Sequence, residues 1–294
     1  MYSLLSKARK LQLSLDTLLY LFDRTVIPVL LYGCEIWGYE KCEKVNTFCL
    51  KFFKTILGLK RSTNNCMVYG ELGRFPLTNE INKRMVKYWA NLIVDENKKL
   101  SSLFLNCINS QNFTEFKWLK YICATLDKTG LSNIWLQKDF PSANFLKGLF
   151  SKRYDDIWRQ NWSATIFKSA KCSVYRKIGK SHAFERYLVD LPWNLASVLC
   201  KFRTSNHLLP IEAGRHRNVP RIERTCNLCD CNLLGDEYHY IIECRFFEKE
   251  RNVYLGDFLQ RSQKPFESLL KSNDRNMMIA LCKFLIVVFN QYKK

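Results

Sequence analysis

Apolar side chains return every three or four residues along most of the chain, the period of a helix with one buried face. After Ser14, a residue type that caps helix N-termini, the positions Leu15, Leu18, Leu19, Phe22, Val26, Val29 and Leu30 share a face. Pro28 interrupts that pattern and predicts a kink or break near Ile27, because proline removes a backbone donor and crowds the preceding turn. A turn is expected over 32–38. A second helix, 41–57, places Val45, Phe48, Cys49, Phe52 and Ile56 on one stripe and leaves Lys44, Lys51 and Lys54 outside it, with Gly58 as its C-terminal cap. After a polar loop at 60–65, a third helix, 78–94, buries Ile81, Met85, Trp89 and Leu92. Further on, 100–108, 113–126 and 155–169 read as helices, 109–112 and 142–147 as loops, and 172–178 as a short strand or an extended connector. Pro192 opens another helix with Leu195, Val198, Leu199 and Phe202 inside. An extended, arginine-rich stretch, 214–225, follows it, and 256–271 and 275–292 close the chain as helices.

The 294 residues are 47% apolar and 25% charged, a globular mixture that excludes wholesale disorder. No apolar run approaches the ~18–20 residues of a membrane span, so no membrane partner is expected. The start of the chain carries Lys7, Arg9 and Lys10 but no apolar segment of the kind a secretory signal needs. Thirteen cysteines in that context predict free thiols and a metal site inside the cell, not a disulfide framework. The formal net charge is +19, which predicts attraction to polyanions. Almost half of that excess falls in residues 151–225, in two clusters. One is Lys168, Lys171, Arg176, Lys177 and Lys180; the other is Arg203, Arg215, Arg217, Arg221 and Arg224. Arginine's planar fork suits bidentate phosphate contact. The expected phosphate contacts are Arg203, Arg215, Arg217, Arg221 and Arg224, with Lys168, Lys171 and Lys177. Trp158 and Trp162 could stack on single strands or belong to the core.

The most specific motif is Cys226-Asn-Leu-Cys229, nine residues, His239, four residues, Cys244. A CxxC pair presents two thiolates from one tight turn, and a His and a Cys five positions apart can return from a helical turn to complete a tetrahedron. Three sulfurs and one imidazole suit structural Zn2+ and leave no open position for a catalytic water. Arg224 and Arg245 beside the ligands favour the thiolates. Gly235-Asp236-Glu237 is expected to turn the chain and begin the helix that carries His239. Cys231 could replace Cys229 or be a free neighbour. His182, His207 and His216 have no such spacing; His216 lies in the arginine cluster, where it could touch phosphate.

Tyr154-Asp155-Asp156 invites comparison with the paired carboxylates of polymerase palms. Its flanks read as a helix start, however, and no further carboxylates complete a two-metal site. No Gly-rich phosphate loop, GxSxG or HExxH occurs. No catalytic residue and no small-molecule substrate are expected.

At several places the chain resembles a known family. Leu21-Phe22-Asp23, followed by Pro28-Val29-Leu30-Leu31-Tyr32-Gly33-Cys34-Glu35-Ile36-Trp37-Gly38, is similar to the segment just beyond the catalytic palm of reverse transcriptases from non-LTR (LINE-type) retrotransposons. Lys51-Phe52-Phe53-Lys54, Ile56-Leu57-Gly58 and Val68-Tyr69-Gly70-Glu71-Leu72-Gly73-Arg74-Phe75-Pro76-Leu77 continue the likeness. Phe202-Arg203-Thr204-Ser205-Asn206-His207-Leu208-Leu209-Pro210, Gly214-Arg215-His216, Pro220-Arg221 and Arg224 resemble the approach to the C-terminal zinc-binding region of those proteins. Cys226, Cys229, His239 and Cys244 fall on its ligand positions. The likeness spans nearly the whole chain, with a vague middle over 95–190.

The resemblance implies a mainly α fold: a helical, thumb-like bundle followed by a helical region with a small CCHC zinc-binding subdomain. The expected divisions are 1–95 (thumb-like), 96–190 (helical middle) and 191–294 (basic region, zinc knuckle at 226–244 and closing helices). The implied function is non-catalytic binding of RNA or DNA, with a nuclear location, since the palm carboxylates of the parent RNA-directed DNA polymerase are missing. Two other readings stay open: a zinc-stabilised protein-interaction scaffold, and a polymerase fragment that works only with a palm domain in trans.

Overall fold

The computed structural model describes residues 5–7, 10–11, 13–94, 103, 116–179, 182–261 and 263–292. Among these, every regular element is helical, and only two isolated β-bridges occur, Leu72 to Phe184 and Thr225 to Leu234. The chain is mainly α, as its periodicity predicts. No single helix among the described residues is long and apolar enough to cross a membrane.

Helix α1 (Leu15–Leu21) runs into a π-type turn (Phe22–Val26) and then α2 (Ile27–Leu30). Pro28 cannot donate to the carbonyl four residues back, and the widened turn just before it is the form the expected break takes. Helix α3 (Cys34–Ile56) begins seven residues earlier than expected. The turn is confined to 31–33, and the Trp37 indole N–H donates to the Tyr32 carbonyl at 2.8 Å across it. Gly38, read as part of a turn, sits inside α3 because the Ile81 side chain occupies the space a Cβ would need. Helix α4 (Asn65–Glu71) is capped by the Asn64 side chain, which accepts from Cys66 N–H at 2.9 Å. Helices α5 (Leu77–Val94), α6 (Lys117–Lys128), α7 (Ser132–Gln137) and α8 (Ala143–Lys168) follow. Residues 142–147, read as a loop, begin α8: Ser142 Oγ accepts from Phe145 N–H at 3.1 Å as an N-terminal cap. The expected helix at 100–108 and loop at 109–112 lie outside the described residues, Leu103 apart, as do Lys180 and the first residues of 113–126.

Helix α9 (Ser173–Ile178) replaces the expected strand or connector. Helices α10 (Tyr187–Asp190), α11 (Trp193–Arg203) and α12 (Pro210–His216) come next. The lead-in at 214–225 is therefore not extended: α12 covers its start and a 3-10 turn spans Arg221–Glu223. Helices α13 (Glu248–Arg261), α14 (Pro265–Lys271) and α15 (Arg275–Asn290) close the chain.

Two compact units form, and they cut across the sequence divisions at 95 and 190. The described residues of the first lie within 20–50, 75–94, 103 and 116–164. Its core gathers Leu31, Cys34, Ile81, Met85, Trp89, Ile122, Leu126, Leu146 and Phe150, each large apolar side chain contributing about 1.5–3 kcal/mol by leaving water. Trp89 stacks on Trp135 at 5.3 Å. Asn82 joins three helices, donating to Tyr154 Oη at 2.7 Å and accepting from Tyr121 O–H at 3.0 Å. Asp155 lies on α8, 2.7 Å from Lys83 Nζ, and accepts from Asn79 at 3.2 Å; Asp156 pairs with Arg159 at 3.1 Å. The Tyr-Asp-Asp triplet thus lies within α8, with Tyr154 and Asp155 bound to α5, and is not the tip of a hairpin. Trp162 is buried, and half-buried Trp158 packs on it and edge-on to Phe75.

The described residues of the second unit lie within 5–7, 10–11, 13–19, 51–74, 165–179, 182–261 and 263–292. Helix α15, capped by Asp274 accepting from Asn276 N–H at 2.8 Å, buries Leu281, Phe284, Leu285 and Val288 against α11 and α13. Gly73 adopts φ +58°, and any Cβ there would overlap the Phe184 backbone. That approach lets Glu185 N–H donate to the Glu71 carbonyl at 3.0 Å and sets two buried carboxylates side by side.

Candidate metal centre and its cationic surroundings

The hairpin that carries the first two ligands is tied by the backbone. Cys226 N–H donates to the Leu233 carbonyl and Gly235 N–H to the Arg224 carbonyl, each at 2.8 Å. Asn232, at φ +49°, turns the loop between them. Leu228 N–H donates to Cys226 Sγ at 3.4 Å, which folds the CxxC turn around the sulfur. The chain then reverses at Gly235 as expected. Asp236 Oδ1 accepts from His239 N–H at 3.0 Å, capping a helical turn that continues through His239–Glu243. Cys244 leaves that turn, and its backbone N–H donates to the His239 carbonyl at 2.8 Å.

These local geometries bring Cys226, Cys229, His239 and Cys244 together, with all four donor atoms within 4.8 Å of one another. Cys226 Sγ and Cys244 Sγ are 3.9 Å apart, and Cys229 Sγ is 3.4 Å from His239 Nε2. A tetrahedral ion with bonds of ~2.3 Å to sulfur and ~2.0–2.1 Å to nitrogen needs edges of about 3.8 and 3.6 Å. The donor set therefore fits such an ion and can hold a metal. Cys226, His239 and Cys244 are buried, and Cys229 is half-buried. Burial and the neighbouring sulfurs push the Cys244 thiol up to about 12, so a metal ion must displace its proton. Cys231 stands outside the set, and Cys229 supplies the second sulfur.

The sequence reading missed the groups that hold the knuckle from behind. Tyr240 O–H donates to Cys226 Sγ at 3.3 Å, and Tyr292 O–H donates to Asn227 Oδ1 at 2.7 Å. The Arg251 guanidinium donates to the Cys244 carbonyl. Glu243 Oε2 lies 3.5 Å from His239 Nδ1, where a carboxylate fixes the ring of a ligating histidine. No spacing rule points to Tyr240, Tyr292 or Arg251; the i, i+4 interval from His239 to Glu243 is the one available signal. His207 also has a partner: its Nε2 is 3.0 Å from Glu237, which accepts from Ser205 as well. His182 Nε2 is 2.9 Å from the Arg74 carbonyl, and His216 is exposed.

The eight cations expected to meet phosphate divide in two. Arg203 is the clearest correction. It is 4% exposed, with Nε 3.0 Å from Glu71 and Nη2 3.1 Å from Glu185, and its face lies over the Tyr187 ring. Two carboxylates hold it inside the second unit, so it faces no phosphate. Arg224 donates to the Val219 and Ile211 carbonyls at 2.9 and 3.1 Å. Arg215 forms a two-pronged pair with Glu212, and Lys171 donates to the Ser62 carbonyl at 2.6 Å. Burial lowers the Lys171 ammonium's pKa. Arg217, Arg221, Lys168 and Lys177 are exposed. Lys177 lies over the Phe266 and Tyr238 rings, at 4.8 and 5.5 Å. Burial raises the Asp236 carboxyl, and the His239 N–H, Lys177 and Arg221 oppose that rise.

The fold and site define a mainly α chain in which three cysteines and one histidine are placed to hold a metal ion. Comparison with protein-family models, curated proteins and solved structures finds no match for it.

Proposed function

We propose that the chain is a nucleic-acid-binding module, non-catalytic by itself, whose Cys226, Cys229, His239 and Cys244 hold a structural Zn2+. The observation that carries this reading is the pairing of a closed donor set with outward cations near it: Lys177 over the ring of Tyr238, the residue before His239, and exposed Arg221, five residues before Cys226. The ion supplies a cross-link and no reaction step, because all four positions are taken by protein. The chain's own residues bind: Arg217 and Arg221 by guanidinium contact with phosphate, Lys168 and Lys177 as point charges. The resemblance to the thumb and zinc-bearing tail of non-LTR reverse transcriptases agrees with this role.

The test is the salt dependence of binding to labelled RNA and DNA. Each phosphate neutralised adds about 0.7 (single strand) to 0.9 (duplex) to the negative slope of log affinity against log salt. Arg217→Gln with Arg221→Gln should flatten that slope by about 1.4–1.8. An unchanged slope sinks the assignment. A second reading, a protein-interaction scaffold, draws on the exposed apolar side chains Val29, Tyr32 and Ile36 of the first unit; it expects no salt-dependent polyanion binding at all.

A further inference from the structure

Beside the metal centre lies an open cleft of about 580 Å³, lined by Leu228, Cys229, Asp230, Cys231, Arg245 and Phe246. That volume falls in the ~300–1,000 Å³ range of clefts that take small, flat ligands. Two of its walls follow the candidate ligands closely in the chain. Leu228 stands two residues after Cys226, whose sulfur accepts its backbone N–H at 3.4 Å, and Phe246 stands two residues after Cys244.

Phe246 is 48% exposed, large and apolar, yet it is braced by an edge-on contact with buried Phe247 at 5.0 Å. An aromatic ring packed on a buried neighbour and presented to solvent in a cleft offers a surface on which a flat ligand can stack. The polar groups around it narrow the ligand. Arg245 is exposed and supplies a cation. Asp230 supplies an acceptor that repels phosphate and suits a base amino group. An aromatic, a cation and an acceptor in one cleft match an unpaired nucleotide, with base on ring and phosphate toward arginine. A duplex keeps its bases stacked on each other and cannot offer one.

We propose that this cleft is a subsite for one unpaired nucleobase, with Phe246 as its stacking surface, so that the module takes single-stranded nucleic acid or an unpaired overhang there. The inference rests on the nucleic-acid reading above and adds the state of the strand.

The experiment measures fluorescence anisotropy of a labelled single-stranded oligonucleotide and of a blunt duplex, at one salt concentration. It uses the full zinc-loaded chain, Phe246→Ala, Phe246→Trp and the Arg217→Gln/Arg221→Gln pair. Zinc content and the helical circular dichroism signal are read on every sample, to hold the fold constant. Base–aromatic stacking is worth ~1–3 kcal/mol, so Phe246→Ala should weaken single-strand binding by about 5- to 150-fold. It should leave duplex binding within about twofold, and Phe246→Trp should keep or tighten the single-strand affinity. The arginine pair should weaken both ligands. If Phe246→Ala binds the single strand as the parent does, the cleft takes some other apolar group and the inference falls, while the nucleic-acid reading stands. Equal loss on single strand and duplex makes Phe246 a brace for the cations and also overturns it. A parent chain that binds neither ligand overturns both the subsite and the function it rests on.

Discussion

Replacing Arg203 with alanine separates the buried reading of this residue from the surface one. The guanidinium sits between Glu71, which is fully buried, and Glu185, at 3.0 and 3.1 Å, and donates to the Leu270 carbonyl at 3.3 Å. Removing it leaves two carboxylates facing each other out of water. Breaking a buried pair in this way costs about 3–5 kcal/mol, or a fall in melting temperature of about 6–20 °C for a body of this size. Burial already raises the Glu71 carboxyl, and Arg203 is the chief group opposing that rise. Without the arginine the folded-state pKa rises further, so the variant loses stability as pH climbs above the unfolded carboxylate range. The gap between variant and parent should therefore be wide at pH 8 and narrower at pH 5. Melting followed by circular dichroism at constant zinc measures this. Combining Arg203→Ala with Glu71→Gln should recover part of the loss, because one of the stranded charges is removed. The slope of nucleic-acid affinity against salt should not change. A variant that melts within about 2 °C of the parent and has a flattened slope would return Arg203 to the phosphate-binding surface.

Two further expectations concern the thiols. Cys226→Ser should abolish stoichiometric zinc, whereas Cys231→Ser should retain it, as metal analysis of purified protein will tell; zinc loss in both would put Cys231 among the ligands. Burial pushes the Cys34 thiol up to about 11 and the Cys282 thiol up to about 12, so mass spectrometry after alkylation at pH 8 should find both unlabelled and half-exposed Cys231 labelled. The same shifts lower stability above about pH 9, where the unfolded chain releases these protons and the folded chain keeps them.

The periodic helices were legible because their apolar stripes are long: 41–57 and 78–94 reappear within α3 and α5. Short or irregular pieces were not. Val174, Tyr175 and Ile178 offer too few positions to tell a helix from a strand, and tertiary packing makes them α9. Ser142 looked like loop because serine beside Pro141 marks a break, yet the same hydroxyl starts α8 as its cap. The metal ligands could be read because their geometry is local. A CxxC turn and a helical return set most of the donor positions within nineteen residues, whatever the rest of the chain does. The arginines could not be sorted, because what separates Arg203 from Arg217 is a carboxylate 132 residues away.

That sorting changes what the charge means. The sequence shows two cationic clusters in residues 151–225, but Arg203, Arg215 and Arg224 are engaged within the fold by Glu71, Glu185, Glu212 and three backbone carbonyls. Arg224 donates across to Val219 and Ile211 two residues before Cys226, so the segment that presents the first candidate ligand is held by Arg224, Tyr240 and Tyr292. Under the proposed function, the outward Arg217 and Arg221 are the ones to meet a ligand. A charge swap at the first group should therefore act through stability and metal retention, and at the second through the salt slope alone.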